Sequence, residues 1–289
     1  YKAFLDTART ERLAAAEIIR RAEEKGFKPV YIMKSLKAGD KVYWNQKDKS
    51  VILAVIGKEP VHEGIKIVGS HIDSPRLDLK ANPVHEQDGI VYFRTHYYGG
   101  IKKYQWTCIP LALIGVVFTK DGKKVDINIG LKDSDPVFYV SDLLIHMAQD
   151  QMKKTLAEGI TGEQLQAVAG THSEEGQTPK DAIMALLKKE YGIEEEDFAA
   201  AELELVPATK SRDVGFDRSL IASYGQDDRV CSYANLEAIL DAKPGVKTQA
   251  ALLTDKEEIG SYGNTGMESS YFVKFVMKLL ALQGQGSLL

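Results

Sequence analysis

The sequence predicts an α/β domain interrupted by an inserted β-rich domain, and three features lead to this fold class. Residues 1–78 join an amphipathic helix to short strand patterns that end beside polar side chains. Residues 79–216 are dominated by alternating, strand-like segments, and residues 217–289 return to alternating helix and strand. Since compact domains accept insertions at exposed loops, we expect residues 1–78 and 217–289 to form one domain and residues 79–216 a second.

The first part of the outer domain is predicted to contain a helix, a hairpin and a buried strand. The charged amphipathic pattern from residue 1 ends at Gly26, which suits the position just after a helix. Residues 41–45 and 50–56 form the two strands of the hairpin. Residues 65–70 have the apolar character of a buried strand, and Pro75 prevents further central pairing. The segment after this strand is therefore expected at the end of the sheet where α/β proteins bind ligands.

The remaining elements follow from the same patterns. In the insert, we expect one helix from Ser141 to Met152 and another after Pro179. The predicted strands of the insert are residues 89–98, 114–118, 124–129 and 200–206. The last part is predicted to contain helices at residues 230–241 and 269–282 and an apolar strand at residues 248–254.

Composition and charge exclude several classes of function. The 289 residues are 44% hydrophobic and 27% charged with a net charge of −4, which is ordinary for a globular protein. This balance offers no basic surface for nucleic acid or for an anionic membrane, and no apolar run approaches the roughly 18 residues of a membrane span. The start has no apolar core like that of a signal peptide. The cysteines, Cys108 and Cys231, are expected to be buried and reduced, and we expect a cytoplasmic location.

The first candidate site residues are His71 and Asp73, which follow the strand at residues 65–70. A neutral imidazole is a good zinc ligand, and a carboxylate two positions later can accept the hydrogen of the other ring nitrogen. Taken alone, the pattern also suits a hydrogen-bonded surface histidine. Only its combination with other ligands makes a metal site the better interpretation.

Carboxylates form the other two candidate groups. Asp227 and Asp228 open the next predicted helix, where a carboxylate can bridge two cations or simply interact with the helix dipole. Glu257 and Glu258 come directly after the strand at residues 248–254. From a turn, both can converge on one site, one as a ligand and one as a general base, whereas in a strand they would diverge. A solvated acidic turn is the alternative.

Together, one imidazole and several carboxylates at strand ends and at a helix start form a ligand set that suits zinc, cobalt or manganese. Two such ions about 3.5–4 Å apart clamp a water molecule and a carbonyl oxygen in hydrolases. The sequence therefore predicts a two-metal hydrolase, and a peptide is the substrate that follows most simply.

Three motifs resemble those of the aspartyl aminopeptidase family of co-catalytic zinc peptidases. They are GSHIDSPRLD at residues 69–78, GQDDRVC at residues 225–231 and DKEEIGSYGNTGM at residues 255–267. The resemblance spans nearly the whole chain, although related di-zinc aminopeptidases and carboxypeptidases share the short motifs. It implies a zinc-peptidase-type α/β/α sandwich with an inserted β-rich dimerisation domain, and an enzyme that removes N-terminal Asp or Glu from peptides.

The resemblance also implies a role for each candidate residue. His71 would bind one Zn²⁺ ion, Glu258 would bind the other, and Asp227 would bridge both; Co²⁺ or Mn²⁺ could take the place of zinc. Asp73 would orient His71. Glu257 would be the general base that takes a proton from water and passes it to the leaving amine.

In this family, dimers assemble into a larger shell, so the resemblance implies a homo-oligomer. His146 matches the family's histidine that reaches the active site of the partner subunit; a histidine packed within the insert is the alternative. The family supplies a further aspartate and a final histidine beyond the helix at residues 269–282, so we expect a truncated chain that binds metal weakly. A related di-zinc aminopeptidase of broader specificity and a non-catalytic assembly protein that retains the fold are the competing hypotheses.

Overall fold

Two units with separate main sheets make up the structure, a computed structural model that describes residues 1–286. The first unit contains Tyr1–Ser74 and the chain from Ser211 onward, and the second contains Pro75–Lys210. The end of the predicted outer domain, residues 287–289, lies outside the described residues.

The helices, in chain order, are α1 (Lys2–Thr7), α2 (Glu11–Glu24), α3 (Leu156–Gly159), α4 (Pro179–Tyr191), α5 (Gln226–Leu240) and α6 (Tyr271–Leu282). The strands are β1 (Lys28–Pro29), β2 (Lys41–Gln46), β3 (Ser50–Val55), β4 (Ile65–His71), β5 (Arg76–Gln87), β6 (Ile90–Tyr98), β7 (Pro110–Phe118), β8 (Lys124–Ile129), β9 (Phe138–Tyr139), β10 (Ala167–Gly170), β11 (Ala201–Pro207), β12 (Arg212–Val214), β13 (Leu220–Ala222) and β14 (Thr248–Thr254). Across residues 1–286, every helix is too short or too polar to cross a lipid bilayer.

A mixed sheet forms the centre of the first unit, with its strands in the order β1-β2-β3-β14-β4. β2 and β3 form the expected antiparallel hairpin, while β14 runs antiparallel to β3 and parallel to β4. Apolar residues of α2 and α5, among them Ile18 and Leu236, pack on one face of this sheet. Phe275 and Leu279 of α6 pack on the other face, and each such fully buried side chain contributes roughly 1.5–3 kcal/mol. The predicted α/β/α sandwich is therefore confirmed.

The register between β4 and β14 positions the candidate site. His71, the last residue of β4, lies opposite Thr254, the last residue of β14. Because parallel strands end at the same edge of a sheet, residues 72–74 and 255–259 leave the sheet side by side.

Two predicted features of the first unit differ in the structure. The first predicted helix is two helices, because Thr10 caps α2 by accepting a hydrogen bond from Leu13 N at 3.3 Å. The strand predicted to be buried, β4, is an edge of this sheet, and Ile67 and Val68 are 46% and 61% exposed. An apolar run alone does not distinguish a central strand from an edge strand.

The second unit is built on a seven-stranded sheet in the order β11-β5-β6-β10-β9-β7-β8. β11 also pairs with β7, so the sheet closes on itself and most of its strands have partners on both sides. Closure reduces the number of exposed edges that could pair with other chains, and β8 remains at an edge. Leu77, Leu111 and Leu165 are fully buried in this unit. The helix expected after Pro179 is present as α4, and the Thr178 hydroxyl caps it.

The helix predicted from Ser141 to Met152 is wrong. Residues 141–150 form turns and extended segments, followed by a 3-10 turn at Gln151–Lys153 and the short helix α3. Leu144 and Met147, which belong to the predicted helix, are exposed. Short helices are marginal in water unless an apolar face is packed, and here that face lies open.

The prediction that both cysteines are buried is also wrong. Cys108 and Cys231 are free thiols, and both are exposed. Cys231 lies on α5, where a hydrogen bond to the Asp228 carboxylate and the negative charge of that group raise the pKa of the thiol.

Candidate metal centre

His71 and Asp73 form the fixed part of the candidate site. Both side chains are buried, Asp73 completely. Nδ1 of His71 lies 3.0 Å from the Asp73 carbonyl oxygen and 3.3 Å from Asp73 Oδ1. With its hydrogen on Nδ1, the ring donates to Asp73 and turns the lone pair of Nε2 toward the open side of the site. The two residues are therefore in contact, and the orienting role of Asp73 remains a prediction.

Asp227 reaches the same place from the start of α5. The carboxylate is solvent-facing, with 88% of its side chain exposed, and its Oδ1 lies 3.3 Å from Nε2 of His71. Asp227 has non-helical backbone angles, and the peptide bond that follows it is cis. The Ser74 hydroxyl donates to the Asp227 carbonyl oxygen at 2.9 Å and fixes this turn to the segment after β4.

Two residues to which the sequence analysis assigned no role, Asp228 and Ser74, also support the site. Oδ2 of Asp228 accepts a hydrogen bond from the His71 backbone N–H at 3.3 Å, and Ser74 holds Asp227. The adjacency of Asp228 to Asp227 was visible in the sequence. Its contact with β4 was not, because that contact depends on how α5 packs beside the strand.

Glu257 and Glu258 enter the site from a 3-10 turn, Glu257–Ile259, directly after β14. Their backbone N–H groups donate to Oδ1 and Oδ2 of Asp73, each at 3.2 Å. Asp73 thus contacts both His71 and the turn. The sequence did not reveal the contact with the turn. Oε2 of Glu257 lies 3.6 Å from Nε2 of His71. The turn therefore brings both glutamates to the site, as expected from a turn rather than a strand.

His146 was the remaining candidate residue. It belongs to the second unit, in the segment where the predicted helix is absent, and its side chain is exposed. The expected role of His146 at a partner's active site remains a prediction.

Comparison with known proteins decides the family. The family model described as aminopeptidase I zinc metalloprotease (M18) matches residues 4–289. This chain belongs to the M18 family. The resemblance carried by the three motifs is confirmed at this level, since aspartyl aminopeptidases are members of M18.

Individual M18 relatives agree with this assignment. Probable M18 family aminopeptidases 1 from Clostridium acetobutylicum and Thermotoga maritima are 48% and 44% identical over 292 and 287 residues. Each alignment covers 98% of this chain and 63% of the relative. The crystal structure of an M18 aminopeptidase from T. maritima matches with a TM-score of 0.95 and 42% identity, covering 99% of this chain and 63% of that one. The chain therefore spans less than two thirds of the length of these relatives.

Electrostatics at the candidate site favour positive charge on His71. Burial by itself lowers the pKa of His71, but the hydrogen bond to Asp73 and its negative charge outweigh burial and raise the pKa to about 9. Burial and the negative charge of Asp73 both raise the pKa of Glu258. Carboxylates held this close to one another gain stability from a cation placed between them.

The donor spacing agrees with metal binding. Zinc binds imidazole nitrogen and carboxylate oxygen at about 2.0–2.2 Å, so two donors of one tetrahedral ion lie roughly 3.3 Å apart. The 3.3 Å between Nε2 of His71 and Oδ1 of Asp227 matches this spacing. Nevertheless, no group of three or more His, Cys, Asp or Glu side chains within residues 1–286 is arranged as a complete metal site.

Proposed function

We propose that this protein is a metallo-aminopeptidase that removes N-terminal residues from peptides at a co-catalytic two-zinc site. The convergence of His71, Asp227 and Glu257 at the shared end of β4 and β14 is the observation that carries the proposal. Membership in a zinc metalloprotease family supports both the metal and the class of reaction.

We assign the metal ligands from the motifs, supported by the 3.3 Å contact between His71 and Asp227. Nε2 of His71 and the carboxylates of Asp227 and Glu258 would hold the zinc ions. Co²⁺ or Mn²⁺ can occupy the same hard-oxygen and imidazole donors. When bound, the zinc ions polarise the scissile carbonyl group and lower the pKa of a water molecule.

Glu257 is the proposed general base. Its side chain is 58% exposed, and Oε2 lies on the same side of His71 as Asp227. A carboxylate in this position accepts a proton from the attacking water and donates it to the leaving amine. Asp73 keeps His71 in the correct tautomer and holds the Glu257 backbone through the hydrogen bond from its N–H.

A free N-terminus is the feature that the proposed exopeptidase activity requires. The carboxylates of Asp73, Asp227, Glu257 and Glu258 surround one imidazole, and two zinc ions would balance their four negative charges. The unprotonated amine of a free N-terminus can bind a metal ion, and its protonated form can pair with a single carboxylate. An acetylated N-terminus can do neither, so acetylation of the substrate is expected to remove activity.

The preference for N-terminal Asp or Glu rests on the motif resemblance. An acidic side chain beside these carboxylates requires a cationic group in the specificity pocket. Broader or neutral specificity within the di-zinc aminopeptidases is the second candidate function.

A substrate panel tests the proposed function. The zinc-loaded protein is assayed on Asp-, Glu-, Leu- and Lys-amide substrates, with N-acetyl-Asp-amide as the blocked control and the C. acetobutylicum relative as a reference enzyme. A hydrogen bond to a charged group contributes about 1.5–3 kcal/mol, so Asp- and Glu-amides are expected to react roughly tenfold faster or more than Leu-amide. Preference for Leu-amide would contradict the acidic specificity, and equal rates with and without a chelator would contradict the metal mechanism.

We further propose that the protein self-associates through an apolar segment of the second unit, residues 143–156. Six large apolar side chains in this segment are 52–72% exposed, namely Leu143, Leu144, Ile145, Met147, Met152 and Leu156. Contiguous exposed apolar surface of this kind marks protein–protein contact sites, and a second copy of the chain is the proposed partner. His146, within this segment, is proposed to reach the substrate in the neighbouring copy. The exposed free thiols suit the cytoplasmic location that we also propose.

Charge introduced into the apolar segment is expected to separate the copies. The double substitution Leu144→Glu and Met147→Glu should shift the protein to monomers in size-exclusion chromatography with light scattering. Leu186→Glu is the matched control, because Leu186 is also 52% exposed in the same unit but lies on α4. An unchanged mass for the double variant would refute this interface.

A further inference from the structure

Beneath the turn that carries Glu257 and Glu258 lies a buried cluster of three polar side chains. Ser50, Asp255 and Thr265 are each no more than 2% exposed. The Thr265 hydroxyl donates to Oδ2 of Asp255 at 2.5 Å, and the Ser50 hydroxyl donates to the Thr265 carbonyl oxygen at 2.7 Å. The Asp255 backbone N–H in turn donates to Oγ of Ser50 at 2.8 Å. The three residues therefore close a ring of hydrogen bonds.

This cluster ties together both ends of the loop at residues 256–264. Asp255 is the residue before the loop, Thr265 is the residue after it, and Ser50 belongs to β3 in the sheet. Within the loop, Ser261 N donates to the Lys256 carbonyl oxygen at 2.7 Å. A Cβ atom on Gly266 would lie 2.0 Å from the Ser261 carbonyl oxygen, so the loop closes tightly just past Thr265. The position of the loop thus depends on the ring.

The Thr265 hydroxyl stabilises the charged form of the Asp255 carboxylate, which its surroundings disfavour. Burial raises the pKa of Asp255 to about 6, and the negative charge of Glu11 adds to this effect, while the Thr265 hydrogen bond acts in the opposite direction. Glu11 is itself buried and lies 3.3 Å from Nζ of Lys49. A buried carboxylate that loses a hydrogen-bond donor must take up a proton or change position.

We propose that Thr265 is a positioning residue for Glu257 and Glu258, acting through Asp255 and Ser50. This inference rests on the proposed function, because it assigns to the loop the placement of a general base and a zinc ligand. Asp73 holds the turn from the side of the metal site, and the Thr265 ring holds it from the core. The two glutamates are thereby fixed from two sides.

Thr265→Val tests the proposal, because valine keeps the shape of threonine but removes the hydroxyl. Loss of a group that hydrogen-bonds a metal ligand directly costs roughly 10- to 100-fold in metal affinity. Because Thr265 acts on the glutamates only through Asp255 and the loop, we expect the dissociation constant for Zn²⁺ to rise by up to about tenfold. The visible absorption spectrum of the Co²⁺-loaded protein should change, and the Glu257 and Glu258 amides should exchange hydrogen faster in the metal-free protein. Thr265→Ser, which restores the hydroxyl, should return all three readouts toward those of the unchanged protein.

Thr248→Val is the matched control. Thr248 is equally buried and accepts a hydrogen bond from Gly57 N at 3.1 Å, but it lies at the opposite end of β14. This variant should lose stability without a change in zinc affinity or cobalt spectrum. The proposal is overturned if Thr265→Val keeps the zinc affinity and the cobalt spectrum of the unchanged protein. It is also overturned if Thr248→Val alters these two properties as much as Thr265→Val does. Should the unchanged protein bind no zinc, the zinc and cobalt readouts test the proposed function rather than Thr265, and amide exchange at Glu257 and Glu258 alone then decides the role of Thr265.

Discussion

Glu257→Gln is expected to lower aminopeptidase turnover by roughly 10²- to 10⁴-fold, which is the usual contribution of a general acid–base group. Glutamine keeps the size of the side chain and its place 3.6 Å from His71, but it does not accept a proton at neutral pH. Zinc content should stay the same, because Glu257 is the proposed base and not a proposed ligand. Steady-state rates on Asp-amide and zinc content by mass spectrometry measure the two effects separately.

Glu268→Gln is the control for the Glu257 substitution. Glu268 is exposed and lies eleven positions further along the chain, so the same change from glutamate to glutamine can be made there, outside the site. Its replacement should leave turnover unchanged. A Glu257→Gln variant that retains full turnover would favour the non-catalytic assembly protein that keeps the fold. A variant that loses zinc together with turnover would make Glu257 a ligand and would require a different base.

The parts of the site that could be predicted are those in which a motif directly follows a continuous apolar strand. The bounds of β14 match the predicted strand at residues 248–254, and the Glu257 turn follows it as expected. β4 likewise ends at His71. In both cases, local sequence determines where the strand stops, and the parallel arrangement of the strands brings their ends together.

The contacts between these motifs could not be predicted, because they depend on register between distant segments. Asp73 accepts hydrogen bonds from the backbone of the Glu257 turn, and Thr265 is joined to Ser50 across 215 positions of the chain. Neither contact leaves a periodic signal in the sequence.

In the segment around His146, by contrast, a local sequence pattern was present but led to a wrong prediction. Leu144 and Met147 have helical spacing, yet residues 141–150 are not helical. The local pattern suggested an apolar helix face, but no helix forms, since the free energy of a short helix depends on the packing of that face. The same apolar side chains then remain exposed, and this exposure is the basis for the proposed contact with a second copy. A wrong helix prediction and a candidate interface thus have one cause.

His71→Ala is expected to abolish zinc binding under conditions in which the unchanged protein binds it. The substitution removes the Nε2 donor and also leaves buried Asp73 without its imidazole partner, so the loss should exceed the roughly 100-fold that follows removal of an outer partner alone. Equilibrium dialysis against Zn²⁺ measures this loss without reference to activity. His62→Ala provides the control, because His62 is half exposed, contacts Glu63 and precedes β4, whereas His71 is the last residue of that strand. If His71→Ala binds zinc as well as His62→Ala does, the cation at this site is held by other groups, and the carboxylates around His71 must have a different role.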